Sequence, residues 1–356
     1  MTEPVRPRRR PPISSPPVPS SDSKLDREFP VAVVVGASRG LGLLMARELD
    51  RQGFRVVIAS EVREELDRAA EQLRADGARV ATELCDVSDE DQVEALIERI
   101  ESQLGPIEVL ICVAGVIQAG PLSALNRGHF TEAIDVMLWG PVNCGLAVAP
   151  RMRERGRGRI GIVSSVGGRI SSPHLLPYST AKFGAVGFTR GLRSELAGTG
   201  VTVTSAEPGL MRLGSHDRAR FVGNHGREYA WFAAADSIPL LSIDGERAAG
   251  RIVRAVLSGR AVVTVTPLGV LAPRIDALFP NLTAALLGLT ARLLPNDPGT
   301  PESRETIEGW EARQQLPRRS RFVLDRLLRL NDAAGLRNNE RPDAGPSDAG
   351  SESAAP

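Results

Sequence analysis

From Phe29 onward, short β-branched runs alternate with longer stretches in which apolar residues recur every three to four positions. The short runs are Pro30–Val35, Arg55–Ala59, Arg79–Leu84, Val109–Ala114, Arg159–Val163, Val201–Ala206 and Ala261–Val265, and they predict strands. Between them, helices are predicted near Gly40–Gln52, Glu64–Asp76, Asp89–Gln103, Phe130–Arg155, Ser179–Leu196 and Glu246–Ser258. Leu66, Ala69, Ala70 and Leu73 have the spacing of one buried helix face, and Val93, Leu96, Ile97 and Ile100 repeat it. Strand–helix alternation of this kind builds βαβ units. It predicts an α/β fold, a doubly wound parallel sheet with helices on both faces and ligand at the carboxyl ends of the strands.

That grammar bounds one domain, residues 29–267. Residues 1–28 read as a disordered tail: seven of the first twenty are proline, and Arg8–Arg10 form a basic knot. Residues 268–330 read as a helical extension. Leu282, Leu286, Leu289 and Leu293 fall on one side of a helix ending at Pro295, and Arg321–Leu330 is amphipathic. Such helices cap a domain, make a dimer contact or lie on a membrane surface, and the reading favours the first two over peripheral membrane contact. Residues 331–356 are rich in Gly, Pro, Asp, Ser and Ala and read as a second disordered tail.

Composition narrows the class further. With 44 basic and 43 acidic residues the net charge is +1, and aromatics make up 4%, so neither charge nor stacking platforms call for nucleic acid. Cys85, Cys112 and Cys144 are odd in number and contain no C-x-x-C pair, which argues against a disulfide framework. No apolar stretch follows the basic N-terminus as in a secretory signal, and Ala277–Ala291, interrupted by Pro280, is too short to span a bilayer. A cytoplasmic protein is expected. His129, His174, His216 and His225 lack metal-ligand spacing, so no metal is expected.

Two segments carry chemistry. The first strand runs into Gly36-Ala37-Ser38-Arg39-Gly40-Leu41-Gly42, which opens a helix. Small residues here allow a tight turn, close approach of backbone amides to a pyrophosphate, and tight helix–sheet packing, while the helix N-terminus favours an anion. The second strand ends near Ser60-Glu61, where a dinucleotide fold meets the adenosine ribose. Neutral Ser60, acidic Glu61 and basic Arg39 point in different directions and leave NAD versus NADP open. Asp86 stands either to bond an adenine amino group or to cap the helix that follows.

The second segment is Tyr178-Ser179-Thr180-Ala181-Lys182. Four residues apart, Tyr178 and Lys182 share a helix face, and an ammonium beside a phenol lowers its pKa toward a working range for proton transfer. Ser164-Ser165 ends the strand Arg159–Val163, where a hydroxyl can donate to a substrate carbonyl and steady developing charge.

Taken in order, the Gly36–Gly42 loop, Asp86-Val87, Ala114-Gly115, Ser165, Tyr178–Lys182 and Pro208-Gly209 resemble the short-chain dehydrogenase/reductase family over roughly Pro30–Pro267. The resemblance implies a Rossmann fold, an NAD(P) cofactor, a small carbonyl or alcohol substrate, and a homodimer or homotetramer. It also implies hydride transfer between a ketone or aldehyde and an alcohol, with Tyr178 as general acid/base, Lys182 lowering its pKa and holding the nicotinamide ribose, and Ser165 holding the substrate oxygen. The thirteen-residue spacing to Tyr178 selects Ser165 over Ser164. Cofactor contacts are implied for Gly36, Ser38, Arg39, Gly40, Leu41, Gly42, Ser60, Asp86, Val87, Ala114, Gly115, Tyr178, Lys182, Pro208 and Gly209.

Three positions depart from the family pattern. Cys112-Val113 replaces an Asn-Asn pair, Met137 stands where an asparagine supports a water relay to the lysine, and Leu213 replaces a threonine, with Ser215 nearby. These departures motivate an alternative, a cofactor-binding sensor or scaffold with weakened chemistry. Substrate is expected between Ile170–Leu176 and Gly214–Ile238. In the latter, His216, His225, Tyr229, Trp231 and Phe232 either line a pocket or pack a lid.

Overall fold

In the computed structural model, which describes residues 29–238 and 242–340, the near-continuous apolar runs become the strands of a seven-stranded parallel sheet. They are β1 (Val31–Val35), β2 (Arg55–Ser60), β3 (Val80–Leu84), β4 (Ile107–Cys112), β5 (Gly158–Val163), β6 (Val201–Ala206) and the short β7 (Val262–Val263). Their spatial order is β3-β2-β1-β4-β5-β6-β7. Every residue of β1 is buried, as expected of a central strand covered on both faces. Val33 pairs with Val57 on β2 and with Leu110 on β4, so the chain winds away in opposite directions from the two sides of β1. That reversal opens a crevice at the carboxyl ends of β1 and β4.

Two apolar layers clothe the sheet. On one face, α1 (Gly40–Arg51), α2 (Arg63–Ala75) and α8 (Gly245–Leu257) bury Leu43, Leu49, Leu66, Leu73 and Ile252. On the other, α3 (Glu90–Gln103), α5 (Gly140–Arg155) and α6 (Leu176–Glu195) meet Val93, Ile97, Val148 and Met152. The predicted helix Phe130–Arg155 is broken. An α-helical turn, α4 (Arg127–Ile134), passes into a five-residue π-helical stretch, Asp135–Trp139, before α5 begins. Such wide turns recur beside functional sites.

A cap lies over the carboxyl edge. It is built from α7 (His225–Ser237), α11 (Gly309–Gln314) and α12 (Arg318–Arg337), around Phe221, Tyr229, Phe232, Leu316 and Leu328. Between α8 and α11, α9 (Pro267–Leu278) and α10 (Pro280–Leu293) meet at a 120° bend. The leucines expected to line one side of α10 do share a face, but that face is open: Leu282, Leu286, Leu289 and Leu293 are all more than half exposed.

Residues 331–340, expected to open a disordered tail, are ordered instead. Helix α12 continues to Arg337, and Asn331, Asn338 and Glu340 are buried. The reason is hydrogen bonding rather than apolar burial. Asn331 accepts from the Gly214 amide at 2.8 Å and donates to Ser237 Oγ at 3.1 Å, and Asn338 donates to the Leu213 carbonyl at 3.2 Å. The expected tail residues 1–28 and 341–356 lie outside the described residues.

Candidate active site

The glycine loop is clamped to the second strand, because the amides of Gly36 and Ala37 both donate to the Ala59 carbonyl, at 2.8 and 3.2 Å. Gly36 has φ +90°, and a Cβ there would fall 2.4 Å from the Ala114 nitrogen. A Cβ on Gly42 would come 2.2 Å from the Gly36 carbonyl oxygen. Loop, helix α1 and the end of β4 therefore close on one another with no room for side chains, leaving backbone to face the crevice. At the tip of β2, Ser60 Oγ donates to Ser38 Oγ at 3.0 Å, and Ser38 Oγ donates to Glu65 at 3.3 Å. Of the two readings of Asp86, helix capping belongs to its neighbour: Asp89 accepts from the Gln92 amide at 3.1 Å. Asp86 instead tightens the preceding turn by accepting from the amide and hydroxyl of Ser88, at 2.9 and 2.6 Å.

At the other end of the crevice the two serines after β5 divide in role. Ser164 is buried and donates to the Lys182 carbonyl at 2.9 Å. Ser165 faces the cleft, accepts from the Gly167 amide at 3.0 Å and is hydrogen-bonded to the Tyr178 hydroxyl. Tyr178 and Lys182 sit in the first two turns of α6, which Pro177 helps to start. Lys182 Nζ donates to the Val163 carbonyl at 2.9 Å and lies 5.8 Å from the centre of the Tyr178 ring. Burial pushes the Tyr178 phenol above its ordinary value, against the Ser165 hydrogen bond; the Asp236 carboxylate pushes the same way as burial. Burial also pulls the Lys182 ammonium down to about 8.

One continuous cleft joins these two ends. It is lined by Gly36, Ser38, Arg39, Gly40, Leu41 and Gly42 from the loop, by Ser60, Asp86 and Val87, by Ala114 and Gly115, and by Ser165, Tyr178, Lys182, Pro208 and Gly209. The departing positions are also placed. Val113 lines the cleft, and Met137, fully buried in the π-helical stretch, closes with Lys182 around Gly115. Leu213 lies in the core under α8, while Ser215 lines the cleft and hydrogen-bonds Asp236.

The aromatics of Gly214–Ile238 pack a lid. His216, His225, Tyr229 and Phe232 are buried, and Tyr229 and Phe232 both make edge contacts with Phe221. From this segment it is Ser215, Arg218, Ala219 and Arg220 that reach the cleft. Trp231, partly buried, donates to Glu228 at 2.7 Å, as His174 Nδ1 also bonds it at 2.9 Å. Among the described residues, His216, Asp217 and Asp332 bring ligand-type atoms within 4.8 Å of one another, and the Arg313 guanidinium supplies a cation there, 3.0 Å from Asp332.

Four residues at the site carry no signal in the sequence. Asp236, on α7, has its carboxyl pushed up to about 7 by burial, against the pull of His216 and Ser215. Glu65, Arg218 and Glu340 line the cleft at the β2 tip, and Glu340 arrives there from three hundred residues downstream of the loop it touches. Only the structure brings them in.

The residues present fit a dinucleotide: a cradle that any Cβ would fill, a helix N-terminus behind it, and an uninterrupted cleft from the β2 tip to Tyr178. Fold and site together define an oxidoreductase that works with a bound nicotinamide dinucleotide. The family model described as short chain dehydrogenase matches residues 30–220, and the chain belongs to that family. It is an NAD(P)-dependent oxidoreductase acting on small molecules. A putative ketoacyl reductase of Streptomyces coelicolor is 37% identical over 183 residues, 51% of this chain and 70% of that protein. A gluconate 5-dehydrogenase of Gluconobacter oxydans is 34% identical over 178 residues, 50% of this chain and 70% of that one. Among solved structures, an actinorhodin polyketide ketoreductase with NADPH superposes with a TM-score of 0.60 at 28% identity, covering 68% of this chain and 97% of the other.

Proposed function

We propose that the chain interconverts a ketone or aldehyde and an alcohol at the Ser165–Tyr178–Lys182 end of the cleft. The observation that carries this is that the Ser165 and Tyr178 side chains meet beside Gly167 in one cleft, next to a buried ammonium held by the Val163 carbonyl. Bound NAD(P) would supply or take the hydride. Residues of the chain do the rest. Ser165, its oxygen oriented by the Gly167 amide, donates to the substrate oxygen. Tyr178 gives that oxygen its proton in reduction and removes it in oxidation. Lys182, fixed by the Val163 carbonyl, stabilises the phenolate that proton transfer leaves. At the far end, the loop Gly36–Gly42 holds the pyrophosphate, with Ser38, Arg39, Ser60, Asp86 and Val87 around the adenosine. Ala114, Gly115, Pro208 and Gly209 flank the nicotinamide end.

The proposal includes self-association. Trp139 at the end of the π-helical stretch, Leu146 on α5 and Phe183 on the adjoining α6 are exposed, an apolar strip that a second copy would cover.

The experiment is turnover of Tyr178→Phe across a panel of carbonyls and alcohols with both nicotinamide cofactors. Loss of general acid/base catalysis is expected to cost about 10²–10⁴ in rate. Unchanged turnover in the variant would remove Tyr178 from the chemistry.

A further inference from the structure

The residues just after α12 fold back onto the glycine loop. The Gly40 amide donates to the Asn338 carbonyl at 2.8 Å, and Asn339 donates to the carbonyls of Ser38, at 2.7 Å, and Glu65, at 3.0 Å. Asn339 holds φ +58°, a left-handed conformation that asparagine tolerates better than most residues. The next residue, Glu340, is thereby laid into the cleft with its side chain buried. Glycine at position 40, with φ +54°, leaves room for it, since a Cβ there would fall 2.3 Å from Glu340 Oε1 and push the carboxylate aside.

Glu340 lands among charges. Arg39 lies 3.3 Å from Glu340 and 3.4 Å from Glu65. Arg218 lies 2.8 Å from Glu65 and 3.5 Å from Glu308, and its Nε donates to the Glu340 carbonyl at 2.8 Å. Two guanidiniums thus face three carboxylates beside the β2 tip, the end of the crevice where a dinucleotide fold meets the adenosine ribose. An NADP 2′-phosphate needs cations there that are not already engaged. Ribose hydroxyls, by contrast, can donate to carboxylates.

We propose that Glu340, delivered by the C-terminal segment, is a specificity-determining residue that makes the chain select NAD(H) over NADP(H). The inference rests on the reading of this cleft as the cofactor site. Glu340 and Glu65 both engage Arg39, and a third anion brought to that guanidinium meets both. Because the Asn338 carbonyl and the Asn339 side-chain amide are hydrogen-bonded to the loop, the carboxylate is held in place before any cofactor arrives, and displacing it breaks those bonds as well.

Binding of NADH and NADPH to the full chain, titrated by nicotinamide fluorescence without substrate, tests this. NADH is expected to bind roughly tenfold tighter or more, the scale of a like-charge juxtaposition. Glu340→Gln is expected to narrow that ratio several-fold by improving NADPH, and Glu65→Gln gives the same readout should the first variant fold poorly. Equal or tighter NADPH binding by the unaltered chain would overturn the selection, as would an unchanged ratio in a Glu340→Gln protein that melts normally. If neither cofactor bound the full chain but both bound a chain ending at Arg337, the segment would be a plug, and the selection would fall while the cofactor reading stood. If neither bound either chain, the cofactor reading itself would fail.

Discussion

Lys182 shows how the site sets function against stability. Its ammonium is buried, and burial lowers its pKa from 10.5 to about 8. At about 1.4 kcal/mol for each tenfold, holding that charge out of water costs the empty protein about 3 kcal/mol. The sign follows from linkage. Below about pH 8 the folded and unfolded lysines are both protonated and the cost is constant. Between about 8 and 10.5 the unfolded chain binds the extra proton, so this group's contribution to stability becomes less unfavourable as pH rises. Lys182→Met is therefore expected to raise the melting temperature of the ligand-free protein near pH 7 by roughly 2–6 °C while abolishing turnover. Differential scanning calorimetry beside an activity assay checks both halves, and a lower melting temperature would contradict the burial argument. Tyr178, whose phenol burial holds above its usual value, is protonated at neutral pH in the empty site. Reduction, which needs that proton, should fall on the alkaline side, where oxidation rises. At this scale much was legible: the Tyr–Lys spacing and the serine at a strand end were readable because each is local in sequence. Asp236 and Glu340 were not, since nothing near either residue says which distant loop it will meet.

At the scale of elements, pattern alone located the central strands and the helices that cover them, because burial on a parallel sheet writes itself into periodicity. What pattern missed has physical causes. The π-helical stretch Asp135–Trp139 changes hydrogen-bond register without changing which residues are apolar, so Phe130–Arg155 reads as one helix. The strand Ala261–Val265 shrinks to Val262 and Val263, which sit at the sheet edge and pair with the last two residues of β6, Ser205 and Ala206. The end of α12 was hidden because polar residues, not apolar ones, fasten it. Asn331 is the main fastening. Asn331→Ala would leave the Gly214 amide buried with no acceptor, a loss of about 1–3 kcal/mol. Urea denaturation should show this as a lower midpoint with an unchanged slope. A midpoint within error of the unaltered protein would mean that α12 is held by its leucines alone.

For the molecule as a whole, the apolar surfaces left open among the described residues by the sheet, its two helical layers and the cap include the strip by α5 and α6 and the face of α10. The first follows the helices that carry Tyr178 and the π-helical stretch, so its cover would also brace the site. Placing charge in it, as Leu146→Glu with Phe183→Glu, is expected to lower the sedimentation coefficient to that of a monomer. A coefficient already monomeric before substitution, or unmoved after it, would show that the strip is not where copies meet. The leucine side of α10 was legible from its spacing, but that either surface stays open was not, since an exposed leucine and a buried one look alike until the neighbours are known.

The three thiols offer a use of their own. Cys85, Cys112 and Cys144 are unpaired, fully covered and gathered in the single layer between the sheet and α3, α5 and α6. Burial pushes the Cys85 thiol well up, and a hydrogen bond that the Cys144 thiol donates to Cys112, together with burial, does the same for Cys144, so nucleophilic thiolate is scarce in the closed molecule. Alkylating reagents would then wait for that layer to part, and their uptake would time its breathing without any engineered label.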